Sequence, residues 1–420
     1  MDKASINLIV TFISILFFVM TRKIVLLVVI FIIALYSIFK ERFTLKYNKI
    51  TKLYLVFWGY YIFISMINIL FNKYENQFTS FVNLLFKVTL IIIIMIICNY
   101  KKGISEKFFV FYRNFGLFLC IIGIFEFMLK KSLFYNIATV EAINWQFSLF
   151  GTKEFRIFTA FLHPIVYGSF LVVLYWINKS YPLKNYYMNK LSILLILINI
   201  FATKSRSCWI ALGVTVIINI VFLKKVKIRK KINLNLILGT LITIILLVIF
   251  KEKLSAAFYE IVNKFIVVLD STLEVGSRTQ RLGAISNIID YGKGNFIQVL
   301  FGQGAGYGTV FMKNNPVNIG FDIVDNQYFT MILEVGFIGV IIFLYIAMKV
   351  LLNLKTYSLN KSGKAISFSI LTIYITIFFF EGLAWESILY ILTISIFLIK
   401  DNNYSVKEVE YENSNDCTKL

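Results

Sequence analysis

The sequence predicts an all-α, polytopic integral membrane protein of about 12 transmembrane helices, with a large extracytoplasmic loop between spans 9 and 10. Three observations predict it. Of 420 residues, 59% are hydrophobic and 15% charged, and the mean hydropathy of +0.79 is more than a soluble core hides. The apolar residues gather in runs near the length of about 20 residues that one bilayer crossing needs. Lysine and arginine, finally, alternate between rich and poor loops as the positive-inside rule requires.

The runs fall at 6–20, 24–39, 53–71, 81–99, 108–129, 158–177, 191–202, 208–223, 236–250, 329–348, 365–380 and 383–399. The first lacks a positive flank and a small-residue cleavage site, so it reads as a retained helix rather than a signal peptide. Residues 191–223 read in two ways, as two short spans joined by a sharp turn or as broken half-helices around Thr203–Ser207. Even-numbered loops hold 21 Lys and Arg, and the short odd-numbered loops hold five. Both termini are therefore expected in the cytoplasm, with the odd loops outside. Two of these outer loops are long, 130–157 and 251–328, and long loops in compact proteins are usually functional. Residues 254–269 and 279–291 of the second should be helical. Residues 1–400 should form one membrane domain containing that loop, and 401–420 a disordered cytoplasmic tail.

The formal charge of +21, from 43 Lys and Arg against 22 Asp and Glu, would suggest nucleic acid in a soluble protein. Here the basic residues lie scattered in inter-helix loops, where they anchor an anionic membrane face, so no nucleic-acid partner is expected. Four cysteines in 48.8 kDa make no disulfide scaffold, and none pairs at metal-ligand spacing. No Walker motif, zinc signature or Asp-x-Asp pair is present, so the sequence calls for no metal and no cofactor.

With that topology, charge is sparse on the outer side, which singles out Arg156, Arg206, Arg278 and Arg281. Near them lie Asp322, Asp325, Glu334, Glu381 and Glu386. A single rim arginine is explained by snorkelling to headgroup phosphates. Four converging arginines instead suit a lipid-linked pyrophosphate, because guanidinium binds phosphate bidentately and stays charged in a half-dry site. A carboxylate within reach would be a general base toward a hydroxyl nucleophile. Together they imply transfer from a lipid diphosphate.

Other features have plainer readings. The run Gly302, Gly304, Gly306 and Gly308 has the density of a phosphate loop but lacks the preceding strand and the later acidic residue, which favours turns or close backbone packing. His163, the only histidine, reads first as a packed residue. Trp145, Tyr307 and Tyr328 would be able to stack on sugar rings.

The segments Glu154–Pro164, Thr203–Trp209, Gly276–Arg281, Leu300–Gly304 and Asp325–Gly339, in this order around a large outer loop, resemble the O-antigen polymerase and O-antigen ligase superfamily. The resemblance covers roughly 150–345. It implies a metal-independent glycosyltransferase working at the outer face of the bacterial cytoplasmic membrane on undecaprenyl-diphosphate-linked saccharides, and an inverting displacement fits a pyrophosphate leaving group and a single base. By that similarity Arg156, Arg206 and Arg278 hold the pyrophosphate of the donor, with Arg281 as helper, and Arg206 and Arg278 act on the leaving diphosphate. The ligase branch has a histidine before asparagine ahead of the tenth span. Here Asp325 precedes Asn326, which favours a polymerase of capsule, exopolysaccharide or O-antigen repeat units and makes Asp325 the candidate base. A chain-length regulator, a flippase and an initiating glycosyltransferase are the partners the resemblance implies, beside donor, acceptor and membrane lipid. A ligase would share the donor site and differ in acceptor. A flippase or secondary transporter would share the twelve-span layout but not the long outer loop.

Overall fold

The computed structural model describes residues 3–21, 32, 48–71, 74–98, 106–134, 155–223, 276–318 and 322–399. The spans expected at 24–39 and 236–250, the helical stretch at 254–269, most of the loop 130–157 with Trp145, and the tail 401–420 lie outside these residues. Among the described residues the fold is all-helical, with no strand. Helices stand at the other ten expected spans: α1 Lys3–Thr21, α2 Lys49–Phe71, α3 Gln77–Cys98, α4 Glu106–Leu129, α5 Pro164–Ser180, α6 Tyr186–Ala202, α7 Arg206–Leu223, α11 Gln327–Leu352, α12 Lys361–Thr376 and α13 Glu386–Leu398. Between α7 and α11 come α8 Gly276–Gly294, covering the expected 279–291, and the short α9 Phe296–Phe301 and α10 Tyr307–Asn314.

Six helical segments, 49–71, 77–98, 106–129, 206–223, 327–352 and 361–379, are long and apolar enough to cross a membrane, and 186–202 and 386–398 are shorter apolar helices. Proline starts α5, as befits the first helical turn where its missing N–H is no loss. Asn185 and Asn326 cap α6 and α11, each side chain accepting from two backbone N–H groups, which satisfies donors that a helix start leaves orphaned.

The centre of the bundle is α5, whose residues are buried almost throughout. It packs against α4, α6, α7 and α12. Trp176 stacks on Phe368 of α12 at 3.8 Å between ring centroids and donates its indole N–H to Thr215 of α7 at 3.0 Å. Phe12 of α1 sits among Tyr112, Phe170 and Tyr390. Many polar side chains inside are paired, as an apolar surrounding favours. Asn199, for instance, donates to the Cys120 carbonyl at 3.0 Å and accepts from the Tyr167 hydroxyl at 3.1 Å.

One open reading is resolved, and two local details differ from the sequence reading. Residues 191–223 form two helices joined by a turn at 203–205, so α6 and α7 are a hairpin rather than broken half-helices. The span expected to begin at 158 becomes helical only at Pro164, because 155–163 runs as irregular backbone with one 3-10 turn at Thr159–Phe161. Near Gly336 the long α11 breaks, at φ 68 and ψ −179.

Connections sort to two ends of the bundle. At one end Asn48 donates to the Ile399 carbonyl and Arg113 to the Tyr181 carbonyl at 2.5 Å. At the other meet the α2–α3 turn, 155–163, 203–205, the 276–326 region and 377–385, and there every candidate residue of the described set is found.

Candidate active site

Arg156 sits on the irregular strand-like approach to α5. Its Nε donates to the Thr203 carbonyl at 2.9 Å, beside a backbone bond from Ile157 N to the Ala202 carbonyl at 3.4 Å. These bonds lay 155–157 against the α6–α7 turn, three residues before Arg206. The segment is held from beneath by Glu126, a buried carboxylate near the end of α4. It accepts from Thr159 N at 2.9 Å, Phe158 N at 3.4 Å, and Leu133 N and the Ser132 hydroxyl at 3.2 Å each. Thr159 and Leu162 are left-handed, at φ 46 and 58, and such residues persist only where their surroundings over-determine them.

His163 ends this segment and caps α5, its Nδ1 accepting from Ile165 N at 3.2 Å. The ring stacks on Phe380 at 5.6 Å and lies against Trp385 at 4.9 Å. The histidine therefore packs as a cap and ties 155–163 to the loop before α13.

Arg206 opens α7, half-buried, after the left-handed Lys204 (φ 51). It lies within electrostatic range of Arg281. Arg281, on α8, grips the other side of the site. Its guanidinium meets Asp325 Oδ2 at 2.6 and 2.9 Å and reaches the Asp325 carbonyl at 3.2 Å and the Phe379 carbonyl at 2.8 Å. Arg278 lies three residues earlier on the same helix. Its side chain is outside the described residues.

Asp325 itself is left-handed, at φ 57, just before the Asn326 cap. This is a conformation that aspartate tolerates better than most residues. Burial raises its carboxyl above the usual range, and the Arg281 ion pair and hydrogen bond pull it back. Behind it stands Glu381, whose Oε1 accepts from Val324 N at 3.0 Å and the Thr330 hydroxyl at 2.8 Å. Burial pushes Glu381 up to about 7, with the neighbouring Glu334 and Asp325 adding to the rise against the Thr330 and Val324 hydrogen bonds.

Glu334 is placed apart from this group, in the body of α11. Its carboxylate accepts from the Tyr61 hydroxyl and from Gly306 N at 2.8 Å. The glycine run is thus a set of turns wrapped on α11, not a phosphate cradle. Gln303 N and Gly304 N donate to the Leu333 and Glu334 carbonyls at 2.9 and 2.8 Å, which the break at Gly336 has released. Tyr328 donates its hydroxyl to the Tyr374 carbonyl at 2.7 Å, and Tyr307 contacts the Tyr291 hydroxyl at 3.2 Å.

The structure therefore brings Arg156, Arg206, Arg281 and Asp325 to one end of the bundle, from four separate segments. Residues 191–344 match the family model described as O-antigen ligase. The match spans over a third of the chain, including Arg206, Arg278, Arg281 and Asp325, and bears out the resemblance to the O-antigen polymerase and ligase superfamily. No curated protein matches the chain. The matched family is one of glycosyltransferase-like enzymes, and the apolar helices among the described residues are those of a membrane protein.

Glu126 was missed from sequence, although a carboxylate inside an apolar span is a signal in itself. Lys87, in the span α3 and within electrostatic range of Glu334, Glu381 and Glu386, gave the same signal. Glu381 was noted only as a neighbour. Nothing local in the sequence shows that it would hold the amide next to Asp325.

Proposed function

We propose that the protein is a membrane glycosyltransferase that polymerises undecaprenyl-diphosphate-linked oligosaccharide repeat units into a surface polysaccharide at the outer face of the bacterial cytoplasmic membrane. One observation carries this reading: Arg156, Arg206 and Arg281, from three segments, come to the end of the bundle that holds the half-buried Asp325, at helix ends that would lie near a membrane surface. Guanidinium groups stay charged and bind phosphate oxygens in such a site. A lipid-linked diphosphate presents its phosphates at that level.

In the proposed reaction a hydroxyl of the acceptor unit attacks the anomeric carbon at the reducing end of the donor chain from the face opposite the diphosphate. The carbon–oxygen bond to the diphosphate breaks as the new glycosidic bond forms, with inversion. The hydroxyl proton passes to Asp325, and undecaprenyl diphosphate leaves with its developing charge met by Arg156, Arg206 and Arg278. Arg281 holds Asp325 in place through the ion pair, a role beyond the pyrophosphate contact that the resemblance implies for it. The charge on the leaving group is met by arginine alone, which makes the proposed reaction metal-independent.

A second reading is favoured by the name of the matching family, O-antigen ligase. A ligase would use the same donor site and pass the finished chain to a different acceptor. The arginine assignment common to both is tested by Arg206→Ala expressed in place of the native chain. Removing one electrostatic partner at a preorganised site costs about 10²–10³ in rate, so long polymer should vanish while the protein stays in the membrane at its normal level. Normal long-chain polymer from that variant would overturn the assignment.

A further inference from the structure

The region 251–328 reads from sequence as a loop outside the membrane, yet part of it runs down the side of the bundle. Residues 301–306 lie against α11 at Leu333 and Glu334 and against α2 at Tyr60 and Ser65. Glu334 is seven residues into α11, about 10 Å along its axis, and Tyr60 is eleven residues from the end of α2, about 16 Å, at a rise of about 1.5 Å per residue. Both distances are measured from the same end of the bundle, so the loop enters to the depth of the membrane-spanning helices.

At that depth backbone polar groups need partners within the protein, and this segment has them. Beside the Gln303, Gly304 and Gly306 amides already described, Ala305 N donates to the Ser65 hydroxyl at 3.0 Å. The Phe301 and Ala305 carbonyls accept from Tyr60 and Tyr74 at 3.0 and 2.7 Å. Gly302 and Gly336 let the two backbones touch. A Cβ on Gly302 (φ 88) would lie 2.5 Å from the Glu334 carbonyl oxygen.

The side chains turned outward are apolar apart from Gln298, whose Oε1 accepts from the Tyr291 hydroxyl at 2.7 Å. Phe296 and Ile297 are each 71% exposed and Phe301 is 44% exposed, continuing the outward Phe337 and Ile341 of α11 at 47% and 64%. Just before them, α8 ends on the exposed ion pair Asp290–Lys293 at 2.6 Å, which belongs in water. The change from a hydrated ion pair to bare phenylalanine within a few residues is what a headgroup boundary would produce.

We propose that residues 296–306 form a re-entrant segment seated in the bilayer, with Phe296, Ile297 and Phe301 against lipid acyl chains. The segment anchors α8 at the headgroup boundary, and with it Arg278 and Arg281. The membrane placement stands on hydrogen bonding and exposure and does not depend on the proposed reaction.

The test uses the full chain in phospholipid nanodiscs with its native cysteines replaced. Nitroxide is attached to Ile297→Cys, to Ile341→Cys as a lipid-facing standard and to Asp290→Cys as an aqueous one. Ile297 should match Ile341, open to oxygen and closed to a water-soluble nickel chelate. Chelate access like that of Asp290 would overturn the proposal. Should the cysteine-free chain fail to fold, Phe296→Asp in the native-cysteine chain serves instead. A lower melting temperature in nanodiscs is expected, and an unchanged one would overturn the proposal.

Discussion

Asp325 owes its chemistry to its burial and to one neighbour, which pull in opposite directions. Burial raises its carboxyl, and Arg281 lowers it. As a base it works ionised, so transfer should fall as pH drops through its raised pKa and level off above. Arg281→Gln removes the lowering partner, which should move that acid limb to higher pH. Asp325→Asn should lose about 10²–10⁴ in rate, the usual contribution of a general base. Initial rates in proteoliposomes across pH check both, and full rate from the Asp325→Asn enzyme would remove Asp325 from the mechanism. Glu381 makes a separate, thermodynamic prediction. Its ordinary value is 4.5 and its folded value about 7. A group raised by folding contributes stability that is complete below its unfolded pKa and is lost as pH rises through the folded one. The melting temperature should therefore decline from about pH 5 to pH 8, and Glu381→Gln should flatten that decline; an equal slope in the variant would exclude Glu381 as its source. Asp325 was legible in the sequence because it stands before the Asn326 cap at a motif position. The groups that hold its surroundings, Glu381 on the Val324 amide and the Phe379 carbonyl on Arg281, follow α12 in the chain and leave no local mark.

At the scale of elements, helices were legible and their interruptions were not. Periodic apolar runs located ten helices, but the irregular run 155–163 read as part of a span. Its residues are as apolar as those of any helix. What unwinds them is Glu126, about thirty positions earlier, which takes up the Phe158 and Thr159 amides. The break in α11 has a comparable cause. Gly336 (φ 68) meets the Leu300 carbonyl at close range, so the helix opens where a distant strand of loop must pass. A Cβ there meets backbone in a conformation that L-residues disfavour by about 1–3 kcal/mol. Gly336→Ala should therefore lower the melting temperature in detergent, whereas a substitution at the open Gly213 of α7, with nothing within 4 Å of its Cβ, should not. Equal melting of the two variants would refute the close approach of α9 and α11.

At the scale of the molecule, the connections among the described residues sort to two ends, as the lysine and arginine pattern leads one to expect. Hydropathy and charge register that sorting because each span reverses direction, so the layout was visible in the sequence. The gathering of Arg156, Arg206, Arg281 and Asp325 was visible only as a shared side, since distances between loops depend on how helices pack. The proposed reaction makes one decisive demand on the cell. With the gene deleted, lipid-linked saccharides are extracted and sized by mass spectrometry beside the surface polymer. Polymerase activity predicts single repeat units on undecaprenyl diphosphate and no long polymer. Finished chains retained on the carrier would point to ligation instead, and unchanged polymer with an unchanged lipid-linked pool would contradict glycosyl transfer by this protein.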